Sequence, residues 1–154
     1  MKIEFWVLGK TSFKYLDQGI QDYEKRLKRF TDFQIVIIPD IKANDPKTFI
    51  TKEAKQILER IKPEDQLILL DDKGKNYTSL QFAEEIEKRQ MLHQKKIIFL
   101  VGGAYGFDES VYKRANAMLS LSSMTFSHQI IRLIFLEQLY RAFTIINGLP
   151  YHHE

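Results

Sequence analysis

Short apolar runs alternate along the chain with segments in which apolar residues recur every three or four positions. Residues 2–9 begin this pattern with apolar side chains at every second position, which is typical of a β-strand. Over residues 13–30 the apolar spacing changes to three and four, which predicts an amphipathic helix. A second strand is predicted over residues 33–38, because this β-branched run stops at Pro39.

The rest of the chain repeats the alternation, so the pattern predicts an α/β fold in which a parallel sheet is flanked by helices. Residues 96–101 are nearly all apolar, as expected for a central parallel strand with both faces covered. The other predicted elements are a loop over 40–47, a helix with Pro46 in its first turn, a strand over 66–70, a polar turn over 71–75, a helix capped by Ser79 and reaching about residue 90, a short helix starting at Asp108, a strand over 117–121, and a long helix from Ser127 or His128 to 147–148.

The length of 154 residues suits one domain, which we expect to span 1–154. The chain has no cysteine, which excludes disulfides, thiolate metal sites and cysteine nucleophiles and fits a cytoplasmic location. The longest apolar stretch, residues 130–136, is interrupted by Arg132 and is far shorter than a bilayer span. We therefore expect neither a membrane helix nor an export signal.

The formal net charge of +3 allows a polyanionic partner. Four cations lie close together at Lys25, Arg26, Lys28 and Arg29. Two interpretations are open: an RNA contact, or a solvated helix end whose cations suit the helix dipole.

Ligands of open parallel sheets bind beyond the carboxyl ends of the strands. Three such ends carry chemistry here, at residues 70–72, 101–106 and 120–127. The glycines of the second end permit close approach of the backbone to a ligand, although their spacing alone favours a tight strand-to-helix turn. Val101 stands where a dinucleotide-binding fingerprint needs glycine, which disfavours a nicotinamide site.

The last predicted helix has almost no polar face, so we expect it to be buried nearly all round. In a domain this small, such a helix indicates a subunit interface. Glu137 and Arg141 stand one turn apart, and they either pair with each other or act on a ligand.

Four segments resemble the RlmH family, and the resemblance covers essentially the whole chain. They are KIEFWVLGK at 2–10, VGGAYG at 101–106, LSSMTFSHQIIRLIFLEQLYRAF at 121–143 and LPYHHE at 149–154. Members of that family methylate N3 of a pseudouridine in large-subunit ribosomal RNA and belong to the SPOUT superfamily. The resemblance implies a C-terminal trefoil knot, a homodimer, bound S-adenosylmethionine and a ribosomal RNA substrate, with assembled ribosomes as its expected form.

The resemblance also implies site residues. Those expected to bind the cofactor are Leu70, Gly102, Gly103, Gly106, Ser122, Ser123, Met124, Thr125, Phe126 and Ser127. Those expected in catalysis or substrate binding are His128, Glu137, Arg141, Tyr151 and His152. Position 153 holds histidine where the family pattern has arginine or lysine. No metal is expected, because the neighbouring side chains of residues 152–154 converge poorly on one ion.

Two other functions fit parts of the pattern. A dimeric RNA- or ribosome-binding module of the same fold would retain RNA without needing a cofactor. A flavodoxin-like or nucleotide-binding domain would bind phosphate at a glycine loop, but the chain lacks a P-loop and a dinucleotide fingerprint.

Overall fold

The computed structural model describes residues 1–153, and its centre is a five-stranded parallel sheet. The strand order is β2-β1-β4-β3-β5, which confirms the α/β class. The strands are β1 (Lys2–Leu8), β2 (Asp32–Ile38), β3 (Gln66–Asn76), β4 (Lys96–Val101) and β5 (Ala117–Ser120).

Five helices connect and cover the strands, and the local sequence explains where two of them begin. Asp45 caps α2 by accepting a hydrogen bond from the amide of Thr48. Thr78 caps α3 through a capping box with Gln81, one residue earlier than the predicted cap at Ser79. The helices are α1 (Lys14–Leu27), α2 (Pro46–Glu59), α3 (Ser79–Met91), α4 (Glu109–Arg114) and α5 (Ile130–Ile146).

Each face of the sheet has its own apolar core. Helices α1, α3 and α5 cover one face, where Phe135 of α5 lies between Phe5 of β1 and Phe99 of β4 at ring-centre distances of 4.7 and 4.9 Å. Helices α2 and α4 cover the other face through Ile57 and Val111. With helices on both faces, the carboxyl ends of the strands remain available to loops.

Helix α5 finds most of its cover inside its own chain. It packs between α1 and α3, and its large apolar residues are buried or half-buried except for Ile130. The side of α5 facing α1 is close-packed, since a Cβ on Gly19 would lie 2.9 Å from the side chain of Leu133. Much of the burial that the sequence analysis assigned to a second subunit therefore comes from the protomer itself.

Strand β3 is longer than predicted. Leu70 and Lys75 both pair with Leu119 of β5, so the residues between them bulge out of the ladder before the strand resumes. The prediction that residues 71–75 form a turn after the strand is therefore wrong, because the chain returns to the same neighbour. The bulge places Asp71 and its neighbours at the carboxyl edge of the sheet.

None of the helices within residues 1–153 has the length and apolarity needed to cross a membrane. The trefoil knot implied by the resemblance stays a prediction.

Candidate functional site

A cavity of about 530 Å³ opens at the carboxyl ends of β3, β4 and β5. Its walls come from the β3 bulge, from the loop between β4 and α4, and from the loop between β5 and α5. A volume of this size suits a small-molecule ligand. We refer to it as the strand-end cavity.

The strand-end cavity gathers most of the residues expected to bind a cofactor. Ser123 is the exception, because it lies in the same loop but outside the lining. The expected residues that line the cavity are Leu70, Gly102, Gly103, Gly106, Ser122, Met124, Thr125, Phe126 and Ser127.

Two glycines shape the loop between β4 and α4. Gly106 has a φ of +72°, a conformation that side-chain-bearing residues rarely adopt, and its amide donates to the carbonyl of Gly103. A Cβ on Gly102 would lie 2.9 Å from the ring of Phe107. The backbone thus turns tightly over Phe107, which forms one side of the cavity floor.

Serine hydroxyls hold the loop between β5 and α5. The Ser120 hydroxyl donates to the carbonyl of Ser122, while the Ser122 hydroxyl accepts from the amide of Met124 at 3.0 Å. The Ser127 hydroxyl accepts from the amide of Ile130, where α5 begins, two or three residues later than predicted. These contacts shape the backbone, and the Met124 side chain stands at the cavity mouth with 78% of its surface exposed.

Tyr112 and Asp71 form a lining pair that the sequence analysis missed. The Tyr112 hydroxyl donates to Asp71 Oδ2 at 2.6 Å and joins α4 to the β3 bulge. Burial, together with this bond to a carboxylate, raises the pKa of Tyr112 to about 12. The position of Asp71 at a strand end was a signal for the carboxylate, but nothing in the local sequence indicated its tyrosine partner.

Only one of the five residues expected in catalysis lines the cavity, namely His128, which is exposed. The other four lie together on α5 and in the tail. We call Glu137, Arg141, Tyr151 and His152 the C-terminal cluster.

Arg141 organises the C-terminal cluster. It forms a salt bridge with Glu137, as the one-turn spacing allowed, and this pairing raises the pKa of Arg141. Its Nη1 lies 3.1 Å from Nδ1 of His152. Because a guanidinium group only donates, Nδ1 must accept, which places the imidazole proton on Nε2.

Tyr151 connects the tail to two helices. Its hydroxyl donates to Glu137 Oε1 at 3.1 Å, so the Tyr23 hydroxyl, 3.2 Å away, must donate to Tyr151. Burial is the main cause of a raised pKa for Tyr151. Tyr23 was identified from the sequence only as an apolar position of α1, because a contact across 128 positions has no local signature.

Arg132 lies apart from both groups and is a structural residue. It is only 2% exposed, and its guanidinium donates to the carbonyls of Leu8 and Gly9, both at 2.9 Å, and to the Thr11 hydroxyl. Desolvation lowers its pKa. Arg132 thus fixes α5 to the end of β1, and its burial excludes it from phosphate contacts.

The basic cluster at the end of α1 is partly neutralised. Arg26 pairs with Asp22 at 3.1 Å, and Lys28 pairs with Glu24 at 3.9 Å. This pairing favours the interpretation of a solvated helix end for half of the cluster. Within residues 1–153, no group of three side chains is arranged to hold a metal ion.

The family model and the relatives that match this sequence are all described as methyltransferases. The family model described as "Predicted SPOUT methyltransferase" matches residues 1–152. The chain is 49% identical to the ribosomal RNA large subunit methyltransferase H of Parabacteroides distasonis, with 100% of both chains covered. It is 48% identical to the protein of the same name from Cytophaga hutchinsonii, over 99% of this chain and 100% of that one.

A comparison of structures gives a more distant match. The crystal structure of the SpoU methyltransferase AviRb from Streptomyces viridochromogenes is 10% identical, with a TM-score of 0.48. The match covers 96% of this chain and 61% of that one.

Proposed function

This chain belongs to the SPOUT methyltransferase family, and from that membership we propose that it transfers a methyl group from S-adenosylmethionine to large-subunit ribosomal RNA. The names of the full-length relatives support the RNA substrate. The resemblance to RlmH proteins extends the proposal to N3 of a pseudouridine, with assembled ribosomes as the substrate.

The strand-end cavity is the observation that carries this proposal. Leu70, Leu121 and Ile131 offer apolar walls for a flat adenine ring, and the glycine and serine loops offer backbone donors and acceptors for its edge. The residues present therefore fit the cofactor. The sulfonium of S-adenosylmethionine supplies an activated methyl group, so the protein must chiefly align the acceptor nitrogen and exclude water.

The acceptor nitrogen loses a proton during methylation, which directs attention to the C-terminal cluster and to His128. His128 lies at the cavity wall, whereas His152 and Glu137 lie outside the lining of their own protomer. We therefore propose a homodimer in which the C-terminal cluster of one protomer faces the strand-end cavity of the other.

Exposed apolar side chains just before α1 and at the start of α1 and α5 support the dimer. Phe13 and Tyr15 pack together at a ring-centre distance of 5.6 Å and are 48% and 69% exposed. The side chain of Gln129 accepts from the amide of Ser12 at 2.8 Å, which connects the segment before this aromatic pair to the start of α5, where Ile130 is also exposed. Exposed apolar patches of this kind mark protein interfaces.

Calorimetry with S-adenosylmethionine tests the cavity assignment. Thr125 is exposed and lines the cavity, so Thr125→Trp should obstruct the ligand and weaken binding by about tenfold or more, or about 1.4 kcal/mol. Ser123 is exposed in the same loop but lies outside the lining, so Ser123→Trp is the matched control and should bind as the wild type does. An equal loss of S-adenosylmethionine affinity in both variants, or no saturable binding by the wild type, would contradict the assignment of the cavity as the cofactor site.

Methyl transfer is tested on ribosomes from a strain that lacks the gene. Mass spectrometry of the ribosomal RNA should show one added methyl group on a pseudouridine only when protein and S-adenosylmethionine are both present. Retention of ribosomes without any methylation would instead support the RNA-binding module.

A further inference from the structure

A second concave surface lies next to the strand-end cavity. The loop after β2 and the first turns of α2 form a groove of about 650 Å³. Its lining is polar and includes Lys42, Asn44, Thr48 and Lys52. We call it the α2 groove.

Positive charge exceeds negative charge in the lining of the α2 groove. Lys42 and Lys52 are exposed, and neither forms a salt bridge with a residue that the structure describes. Asp45 is the only carboxylate in the lining described for this groove, and both of its oxygens bond to Thr48 at the start of α2. That capping role lowers the pKa of Asp45. A weaker charge interaction with Lys52 contributes to that lowered pKa. The groove therefore offers an anion two ammonium groups that no salt bridge occupies.

Tyr105 joins the α2 groove to the strand-end cavity, because its side chain lines both. The ring is 56% exposed and forms a T-shaped contact with Phe49, at a ring-centre distance of 5.7 Å and an interplanar angle of 71°. A T-shaped contact with one neighbouring ring leaves at least one face of the Tyr105 ring available for stacking. Aromatic faces beside lysines are the usual elements of single-stranded nucleic-acid sites.

Other cations of the molecule fit an RNA contact at the reacting base less well. Arg132 is buried against β1 carbonyls, Arg141 is paired with Glu137, and the α1 cations do not line the strand-end cavity. Lys73 also lines the strand-end cavity, where its ammonium group lies 5.5 Å from the centre of the Tyr112 ring. The α2 groove adds two exposed lysines without salt bridges and shares the side chain of Tyr105 with the cavity.

We propose that the α2 groove binds a single-stranded segment of ribosomal RNA flanking the methylated nucleotide. Lys42 and Lys52 contact its phosphates, and Tyr105 stacks on a base at the rim of the strand-end cavity. This inference rests on the proposed function for the identity of the RNA. The phosphate contacts make binding salt-dependent, and the stacked base orients the neighbouring nucleotide toward the cavity.

The test is co-sedimentation of the full-length protein with ribosomes that lack the modification, over a series of KCl concentrations. Lys42→Gln/Lys52→Gln should weaken binding and reduce the slope of log K against log[KCl] by about 1 to 2. The matched control is Lys25→Gln/Arg29→Gln, which removes the same charge from exposed positions in the last turn of α1 and just after it. The control should keep the wild-type slope.

The two pairs of variants separate the outcomes. An equal change in both pairs, or a larger change in the α1 pair, would overturn the proposal in favour of a general or α1-centred attraction. Weaker binding by the groove variant with an unchanged salt slope would indicate a ribosomal protein as the contact, and would also overturn it. Because sedimentation does not depend on methyl transfer, these results stand apart from a failure of the proposed function.

Tyr105 is tested by the KM for ribosomes at saturating S-adenosylmethionine. Tyr105→Leu removes the stacking face and should raise KM by about tenfold, whereas Tyr105→Phe keeps the ring and should restore it to within about twofold. Because Tyr105 also lines the strand-end cavity, the affinity of each variant for S-adenosylmethionine is measured separately by calorimetry. If Tyr105→Leu lowers only cofactor affinity and leaves KM unchanged, the stacking role is wrong.

Discussion

Glu53 is a buried carboxyl group directly behind the β4–α4 loop. It projects from α2, is 3% exposed, and its Oε2 lies 3.8 Å from the position that a Cβ on Gly103 would take. Burial, with a smaller contribution from Asp40, raises the pKa of Glu53 to about 7. The sequence held a signal for this residue, because Glu53 stands one helical turn from both Phe49 and Ile57 on the apolar side of α2.

The raised pKa makes the stability of the protein depend on pH. Below pH 4.5 the group is protonated in both states; between 4.5 and about 7 only the unfolded chain releases the proton. The free energy of unfolding should therefore fall as the pH rises through this window. Between about pH 5 and 8 the free energy of unfolding of the wild type should fall by about 2 kcal/mol more than that of Glu53→Gln, as measured by urea unfolding. The glutamine side chain stays neutral over this range.

Glu59→Gln is the control for this experiment, since Glu59 is an exposed residue at the end of the same helix. Its pH profile should match that of the wild type. If Glu53→Gln also keeps the wild-type profile, Glu53 is not the group that titrates.

At the scale of elements, the sequence predicted secondary structure correctly wherever the local apolar pattern alone determines it. The apolar periods located four of the five strands and all five helices to within a few residues, and the strand-end rule located the strand-end cavity. It failed where a distant partner decides the conformation. Residues 71–75 are polar and contain a glycine, so they look like a turn, yet pairing with β5 keeps them in β3.

The candidate site divides in the same way. The loop residues around Gly102 and Ser122 follow from their position after a strand, whereas the Tyr23–Tyr151 and Asp71–Tyr112 bonds join positions 128 and 41 residues apart. No local periodicity encodes such pairs. The resemblance identified the C-terminal cluster but did not show that its four members bond to one another in one protomer.

Position 74 in the β3 bulge requires glycine, because the backbone of β5 lies too close for a side chain. A Cβ there would lie 2.6 Å from the amide nitrogen of Leu119 and 2.7 Å from the carbonyl carbon of Met118, and backbone atoms of a paired strand cannot move aside. Gly74→Ala should therefore lower the free energy of unfolding by about 1–3 kcal/mol in urea titrations.

Gly103→Ala is the comparison, because the nearest atom to its Cβ is 3.8 Å away, an ordinary contact. Its stability should stay within about 0.5 kcal/mol of the wild type. Equal stability of Gly74→Ala and Gly103→Ala would mean that the strand does not approach β5 as closely at this point as described.

At the scale of the whole molecule, the two parts of the proposed active site lie in different places on one protomer. The strand-end cavity is lined by loops, and none of the four residues of the C-terminal cluster contributes to its wall. The members of the cluster are nevertheless connected by hydrogen bonds, from Arg141 to Glu137 and His152 and from Tyr23 to Tyr151. Such a prearranged group suits a role in the cavity of a second protomer.

Mixing two defective proteins tests this arrangement. Thr125→Trp should impair the cavity, and Tyr151→Ala/His152→Ala should impair the cluster. Each homodimer should therefore transfer little methyl when S-adenosylmethionine is kept well below the dissociation constant of the Thr125→Trp variant. If the active site combines two protomers, a mixed dimer contains one site with both defects and one with neither. With random pairing, co-expression should restore about a quarter of the wild-type activity per active site.

An active site contained within one protomer predicts a different recovery of activity in the same experiment. If each protomer used its own cavity and cluster, every site of a mixed dimer would carry one defect, and co-expression would leave activity at the level of the separate variants. Ser123→Trp in place of Thr125→Trp serves as the control, because it lies outside the cavity lining and should be active by itself. Sedimentation velocity of the mixture verifies that dimers form, so that absence of recovery identifies a site contained in one protomer rather than a failure of assembly.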